Sequence, residues 1–433
     1  MAKSAGKPWS KPLSLSEGSD RNPDQGRRRA LGRIGAAPAL AVGAGLGLGV
    51  VEARALDTPK WMKEPGQTFL SPPYGQPSPF EKEVVRVLPA KPAAFPTATR
   101  TPLQNLHGTI TPNGLFFERH HNGVPMVDPD QHRLMIHGLV ERPLLLTMSD
   151  LMRYPAVSRI CFLECSGNSA SQWASPSGRS AQEIHGLVSC AEWTGVKLST
   201  VLDDVGLKPS AKWILAEGSD AAAMTRSIPI AVALDDAMLV YSQNGEMLRP
   251  EQGYPLRLLL PGIEGNMNIK WLRRLKVGAE PFQTREETSK YTDLRPDGRA
   301  LQFTIVMDAK SVILSPSGGQ ALAAKGFHEI SGIAWSGRGR LRSVDVSVDG
   351  GRNWREAVLQ EPVLAKSLTR FRLPWRWDGS PAILQSRAVD ETGYVQPSRK
   401  RLIAERGERT VYHYNGIQSW QVSTAGEVSN VHA

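Results

Sequence analysis

The chain has 433 residues, 40% hydrophobic and 22% charged, which suits about three domains and excludes wholesale disorder. Lysine plus arginine (52) exceeds aspartate plus glutamate (42), but half of that +10 excess lies in residues 1–55, so the rest is only mildly basic and a nucleic-acid partner is not expected. Three cysteines exclude a disulfide-rich scaffold and a four-cysteine zinc or iron–sulfur site, and without Cys-x-x-Cys-His the chain carries no covalent haem of its own.

Residues 1–55 read as an address. Arg27, Arg28 and Arg29 precede an uncharged stretch, 34–51, made mostly of Ala, Gly, Leu and Val, and Ala53-Arg54-Ala55 supplies a small-x-small exit. A charged start, an apolar middle and a small-residue end predict a cleaved secretory signal. The arginine run resembles the twin-arginine signal of proteins exported already folded, so a periplasmic protein with no membrane span after cleavage is expected. Residues 56–100 hold nine prolines and predict an extended arm.

Residues 101–280 alternate short apolar runs with Gly/Pro turns. Strands are expected at 133–137 and 255–261 and a short helix at 198–205 ended by Gly206, which makes a mixed α+β domain. Residues 281–300 are charged and turn-rich and read as a linker. From 301 to 404 the pattern is β, with strands expected at 302–306, 329–335, 343–348 and 384–389 and a turn at Asp349-Gly350-Gly351. This predicts an antiparallel, immunoglobulin-like sandwich. Residues 405–433 read as a polar tail with an exposed Trp420.

Cys165 ends the apolar run of residues 160–163 and opens the turn Ser166-Gly167-Asn168. A thiol at a strand end beside a glycine turn is open to a ligand, and a soft thiolate suits a soft metal or a nucleophilic role. Cys161, Cys165 and Cys190 also fit as small core residues, and the residues alone leave both readings open. Were Cys161 and Cys165 on one strand, they would be about 13 Å apart, too far for a disulfide. His120 and His121 are adjacent, so on a strand they would face opposite ways and not share one ion. Arg119, Arg257 and Lys270 lie near turns and could meet an anion.

Three separated motifs share one order: LFFERHHNGVP at 115–125, LECSGN at 163–168 and GYPLRLLLPGIEGNMNIKW at 253–271. Together they resemble the sulfite oxidase family of molybdenum enzymes, and residues 347–354 and 388–397 resemble that family's dimerisation domain. The resemblance implies a molybdopterin-binding oxidoreductase domain followed by a β-sandwich through which two copies pair. Cys165 then occupies the metal-ligand position, with molybdenum–molybdopterin as cofactor. Phe117, Arg119 and His121 match the segment that contacts pterin and substrate anion, and Asp220 a pterin-binding acid. Gln252 stands before the Gly-x-Pro-x-Arg motif that contains Arg257, where animal members carry histidine. Asn268, Ile269 and Lys270 match the stretch that cradles the pterin phosphate, and Tyr291 an active-site tyrosine. The arginine that follows the cysteine turn in animal members is replaced here around Ser169-Ala170.

Residues 61–66, 74–78 and 416–420 carry a closer likeness, to the molybdenum subunit of the bacterial sulfane dehydrogenases of thiosulfate oxidation. That likeness implies a carrier-bound sulfane sulfur as substrate, with Arg119 and Lys270 stabilising the developing oxyanion. It further implies a dihaem or other c-type cytochrome subunit as acceptor, within a hetero-oligomer built on the sandwich homodimer. The extended arm and the Trp420 tail are candidate docking segments for it. The competing readings are a sulfite dehydrogenase acting on free sulfite and a non-catalytic binding protein.

Overall fold

The computed structural model describes residues 75–89, 97–176, 180–408 and 410–433. The expected export signal and most of the proline-rich arm lie outside the described residues. Two five-stranded sheets build the part that holds the cysteine. The first joins Glu246–Met247, Met238–Gln243, Val188–Lys197 and Ala156–Glu164 in that order, with Arg257–Leu259 also on Met238–Gln243; every pair is antiparallel. The second runs Leu144–Leu146, Leu134–Gly138, Leu272–Gly278, Trp213–Gly218 and Thr225–Pro229, with one parallel pair between Leu134–Gly138 and Leu272–Gly278. The helix Leu198–Val205 forms where expected. Leu198, Val201, Leu202 and Val205 fall on one buried face, and Gly206 (φ 67°) ends it.

The strand Ala156–Glu164 turns apolar toward its C-terminal end because both of its faces are covered there. Cys161, Leu163 and Cys165 pack with Phe116, Phe117 and Trp193, while Phe162 packs into the sandwich core beside Trp335. A period of two thus sends odd residues one way and even residues the other. Cys161, Cys165 and Cys190 are all buried, unbridged thiols.

The sandwich is two antiparallel sheets. One joins Lys310–Ser315, Gly326–Trp335, Thr369–Trp377 and Val358–Leu359. The other joins Arg355–Glu356, Leu341–Ser347, Ala382–Asp390, Ser419–Val422 and Val428–Val431. Its core continues across into Leu103, Ile184, Val188 and Cys190 of the preceding half.

Two expectations are corrected here. Residues 302–306 do not form a strand: Phe303 adopts φ 57° and rests against Trp213, and Val306 makes only an isolated bridge to Ile263. The polar tail is not a free tail either. After the helix Arg399–Arg406, residues 419–431 form a hairpin that extends the second sandwich sheet. Trp420 is fully buried opposite Leu384 and donates its indole N–H to the Ile313 carbonyl at 3.2 Å. A buried tryptophan cannot dock a partner, so that part of the docking expectation falls. Among the described residues, no helix is long and apolar enough to cross a membrane.

Candidate active site

The cysteine sits in a turn whose ends are both tied down. Leaving the strand, the Cys165 N–H donates to the Leu187 carbonyl (3.0 Å), and the Asn168 N–H returns to the Cys165 carbonyl (2.8 Å). The Asn168 amide accepts from the Leu187 N–H (3.1 Å) and donates to the Glu164 carboxylate (2.9 Å), and Ser169 closes the turn in the left-handed region at φ 69°. Opposite stands the turn 262–268, held so close that a Cβ on Gly265 would lie 2.7 Å from the Glu164 carbonyl oxygen. Burial pushes the Cys165 thiol up, with Arg119 and the Gly167 N–H pulling the other way. A bound metal deprotonates such a thiol outright.

Every residue put forward from the sequence lines one cavity, which encloses about 670 Å³, partly open to solvent. Arg257 is 3% exposed; it donates to the Gln252 backbone carbonyl (3.1 Å) and side-chain oxygen (3.3 Å) and lies 5.4 Å over the Trp193 ring. Gln252 in turn donates to the Phe117 carbonyl at 2.9 Å, so a neutral amide locks Phe117 to Arg257. Burial lowers Arg257 to about 9, and burial with the Arg257 charge lowers Lys270 to about 7. Lys270 reaches the Glu251 carbonyl (3.0 Å) and covers the Trp271 ring at 4.5 Å.

Asn268 borders the cavity and also braces the turn it belongs to. Its side chain accepts from the Leu260 N–H (2.6 Å) and donates to the Ile263 and Glu264 carbonyls, pinning its own turn. The backbone N–H groups of Asn268 and Ile269 also donate within that turn, to Gly265 and Met267. Asp220 accepts from the Met224 N–H at 3.2 Å beside them.

On the third side, Arg119 is anchored by its own His120 carbonyl (2.7 Å) and by Thr97. His120 and His121 both border the cavity, because the strand Glu118–His120 ends between them and alternation no longer applies. They take separate partners. His120 meets Glu118 at 3.4 Å and His121 meets the Tyr291 hydroxyl at 3.1 Å. Burial, reinforced by nearby cations, lowers them to about 3 and about 4, so both are neutral at ordinary pH. Burial pushes the Tyr291 hydroxyl well up, and the Arg226 guanidinium sits 5.3 Å from its ring.

Sequence reasoning missed one support behind the cavity. The segment after the sandwich returns to the cysteine turn: the His413 N–H donates to the Ser166 carbonyl (2.7 Å) and its ring meets Glu264 (3.2 Å). Tyr412 packs 5.0 Å from Tyr291. Asn266 bridges Ser166 and Glu264, and the buried Arg226 also binds Glu264. Asn266 lay inside a motif already noted. Nothing near residue 413 marks it, since its partner lies far back along the chain.

The donor set decides what fits. A soft thiol stands at one end, and Arg119, Arg257 and Lys270 gather positive charge with Phe117, Leu163 and Ile269 as apolar flanks. Among the described residues, no acceptor meets the buried Arg257 Nε. A buried unmatched donor is costly unless a ligand completes it. A pterin carrying a phosphate and a thiolate-seeking metal answers each of these demands.

The comparisons agree with that fit. The model of the oxidoreductase molybdopterin binding domain matches residues 121–286, and that of the Mo-co oxidoreductase dimerisation domain matches residues 302–419. The chain belongs to the sulfite oxidase family of molybdopterin-binding oxidoreductases. The mitochondrial sulfite oxidase of Mus musculus is 33% identical over 321 residues, 67% of this chain and 58% of that protein. The sulfite oxidase of Gallus gallus is 32% identical over 315 residues, 66% and 68% of the two chains. The chain thus spans under two thirds of the mammalian relatives' length. The crystal structure of the sulfane dehydrogenase SoxCD from Paracoccus pantotrophus is similar with a TM-score of 0.83 at 49% identity, covering 86% of this chain and 97% of that one.

Proposed function

We propose that the chain is the molybdenum-bearing catalytic subunit of a periplasmic sulfane dehydrogenase that oxidises a sulfane sulfur held on a carrier protein. The observation that carries this reading is the 49% identity to the sulfane dehydrogenase over nearly the whole of that chain, against 32–33% to the sulfite oxidases. The local chemistry supports it. Gln252, on the cavity lining, can hydrogen-bond but cannot carry charge, and Ser169-Ala170 supply no cation where animal members of the family carry an arginine, which suits a substrate bound differently from a free dianion.

Cys165 would hold molybdenum through its thiolate. Arg257, Lys270, Asp220, Phe117 and Gln252 would hold the pterin, with Arg257 and Lys270 on its anionic end. When bound, the cofactor supplies two-electron oxidation with oxygen drawn from water. This chain's own part is positioning and charge. Arg119 and Lys270 stabilise negative charge developing on the sulfur oxygens. The Tyr291 hydroxyl, 3.1 Å from neutral His121, donates to that imidazole or to a substrate oxygen, and the high pKa keeps the proton on the phenol. Electrons leave to a separate c-type cytochrome, dihaem or otherwise, in a hetero-oligomer built on a sandwich homodimer. The twin-arginine-like start delivers the folded protein to the periplasm.

The test is turnover of the purified holoenzyme with its cytochrome on a carrier-bound thiosulfonate and on free sulfite. Preference for the carrier substrate by at least tenfold in kcat/KM supports the reading. Comparable or better use of free sulfite replaces it with a sulfite dehydrogenase, and absence of molybdenum from the purified protein removes the enzyme reading altogether.

A further inference from the structure

Strand parity places Glu164 on the face opposite Cys165, pointing out of the cavity and into the sandwich. It is 1% exposed and its carboxylate is fully engaged. Asn168 of the cysteine turn donates to it at 2.9 Å, and Lys310 of the strand Lys310–Ser315 at 3.2 Å. The Trp335 indole N–H, at the end of the neighbouring strand Gly326–Trp335, donates to its other oxygen at 2.7 Å. The Lys310 ammonium also donates to the Ser169 hydroxyl at 2.9 Å, so one cation joins the residue before the cysteine to the residue that ends its turn. With that bond made, the Ser169 hydroxyl donates to His185 Nδ1 (2.6 Å), which leaves the His185 Nε2–H to donate to Gln418 at 3.2 Å. Lys310, Trp335 and Gln418 all come from the sandwich or from the segment after it.

We propose that Glu164, Lys310 and Trp335 form a positioning device by which the sandwich sets the orientation of Cys165 toward the metal. The proposal rests on the reading of Cys165 as the metal ligand. None of the three lines the cavity, so none is a catalytic residue. Their effect passes through the two ends of the turn, Glu164 and Ser169, which the ammonium clamps at a fixed separation. A buried pair of this kind is costly to break from one side and tolerates joint replacement better.

The test uses the molybdenum-loaded, full-length protein and reads the thiolate-to-metal absorption band, the EPR signal of the pentavalent metal, kcat and KM. Lys310→Met and Glu164→Gln each shift the band and the EPR parameters and lower kcat at least tenfold, with KM within twofold of wild type. The double variant E164Q/K310M recovers melting temperature relative to K310M, because no unpaired charge remains, but keeps the shifted band and the lowered kcat, because the clamp across the turn is still absent. Trp335→Phe keeps an aromatic ring and removes one donor, so it reports even if the charge variants fold poorly; it shifts the band by a smaller amount. Folded, loaded W335F with a wild-type spectrum and wild-type kcat overturns the proposal, as do single charge variants that lower only the melting point. If Cys165→Ser leaves the band intact, the ligand reading itself has failed; if it removes the band while W335F leaves it unmoved, only the positioning proposal has failed.

Discussion

Gly265→Ala offers a direct measure of how closely the two turns of the cavity must approach. An added Cβ would meet the Glu164 carbonyl oxygen at 2.7 Å, its carbon at 3.1 Å and the Cys165 Cα at 3.2 Å, all of them backbone atoms that cannot swing aside. Bringing the shortest contact to an ordinary 3.4 Å requires the turns to part by about 0.7 Å. Overpacking of this kind costs about 1–3 kcal/mol, which in a chain of this size lowers the melting midpoint by roughly 1–4 °C. The functional loss is expected to be larger, since a displacement near 1 Å between reacting groups can cost about a hundredfold in rate. Differential scanning calorimetry, metal analysis and turnover together test the argument. Gly167→Ala is the control for folding: its Cβ would find only the Cys165 sulfur, at 3.9 Å, and should leave the melting point unchanged in the cofactor-free protein. A Gly265→Ala protein with wild-type melting, metal content and kcat would refute the reasoning.

Cys165→Ser should abolish turnover while leaving a folded protein, whereas Cys161→Ser and Cys190→Ser should retain most of it; activity assays and circular dichroism decide. Trp420→Ala should destabilise the fold by about 3–5 kcal/mol, since it empties a fully buried site in the sandwich; an unchanged melting curve would show that the hairpin is not part of the core. Burial holds His185 neutral, well below its ordinary pKa. The unfolded chain therefore takes up a proton near pH 6.5 that the native state refuses, and stability falls as pH drops below that value by up to about 1.4 kcal/mol per pH unit. Denaturant titrations from pH 7.5 to 5 should show the fall, and His185→Gln should make it shallower.

The site was legible in the sequence to the extent that it is carried by local patterns. The cysteine turn, the Gly-x-Pro-x-Arg segment and the stretch around Lys270 each keep their chemistry within a few residues, and tertiary structure brings them to one cavity. The reading failed where a short pattern was overruled by distant packing. Phe303 and Ile305 alternate like a strand, but Phe303 turns to meet Trp213 instead of a neighbouring chain. The tail reads as polar because Gln421 and Ser429 face solvent; the alternation of Trp420 with Val422, and of Val428 with Asn430, is short, yet it marks a hairpin around Gly426. His413 had no local signal at all.

The return of residues 412–418 to the cysteine turn also dictates an order of events during synthesis. His185 must wait for Gln418, 233 residues further along, before its hydrogen-bond chain is complete. The support behind the cysteine turn is therefore completed only after the segment following the sandwich has left the ribosome, and loop closure over such a span slows the last step.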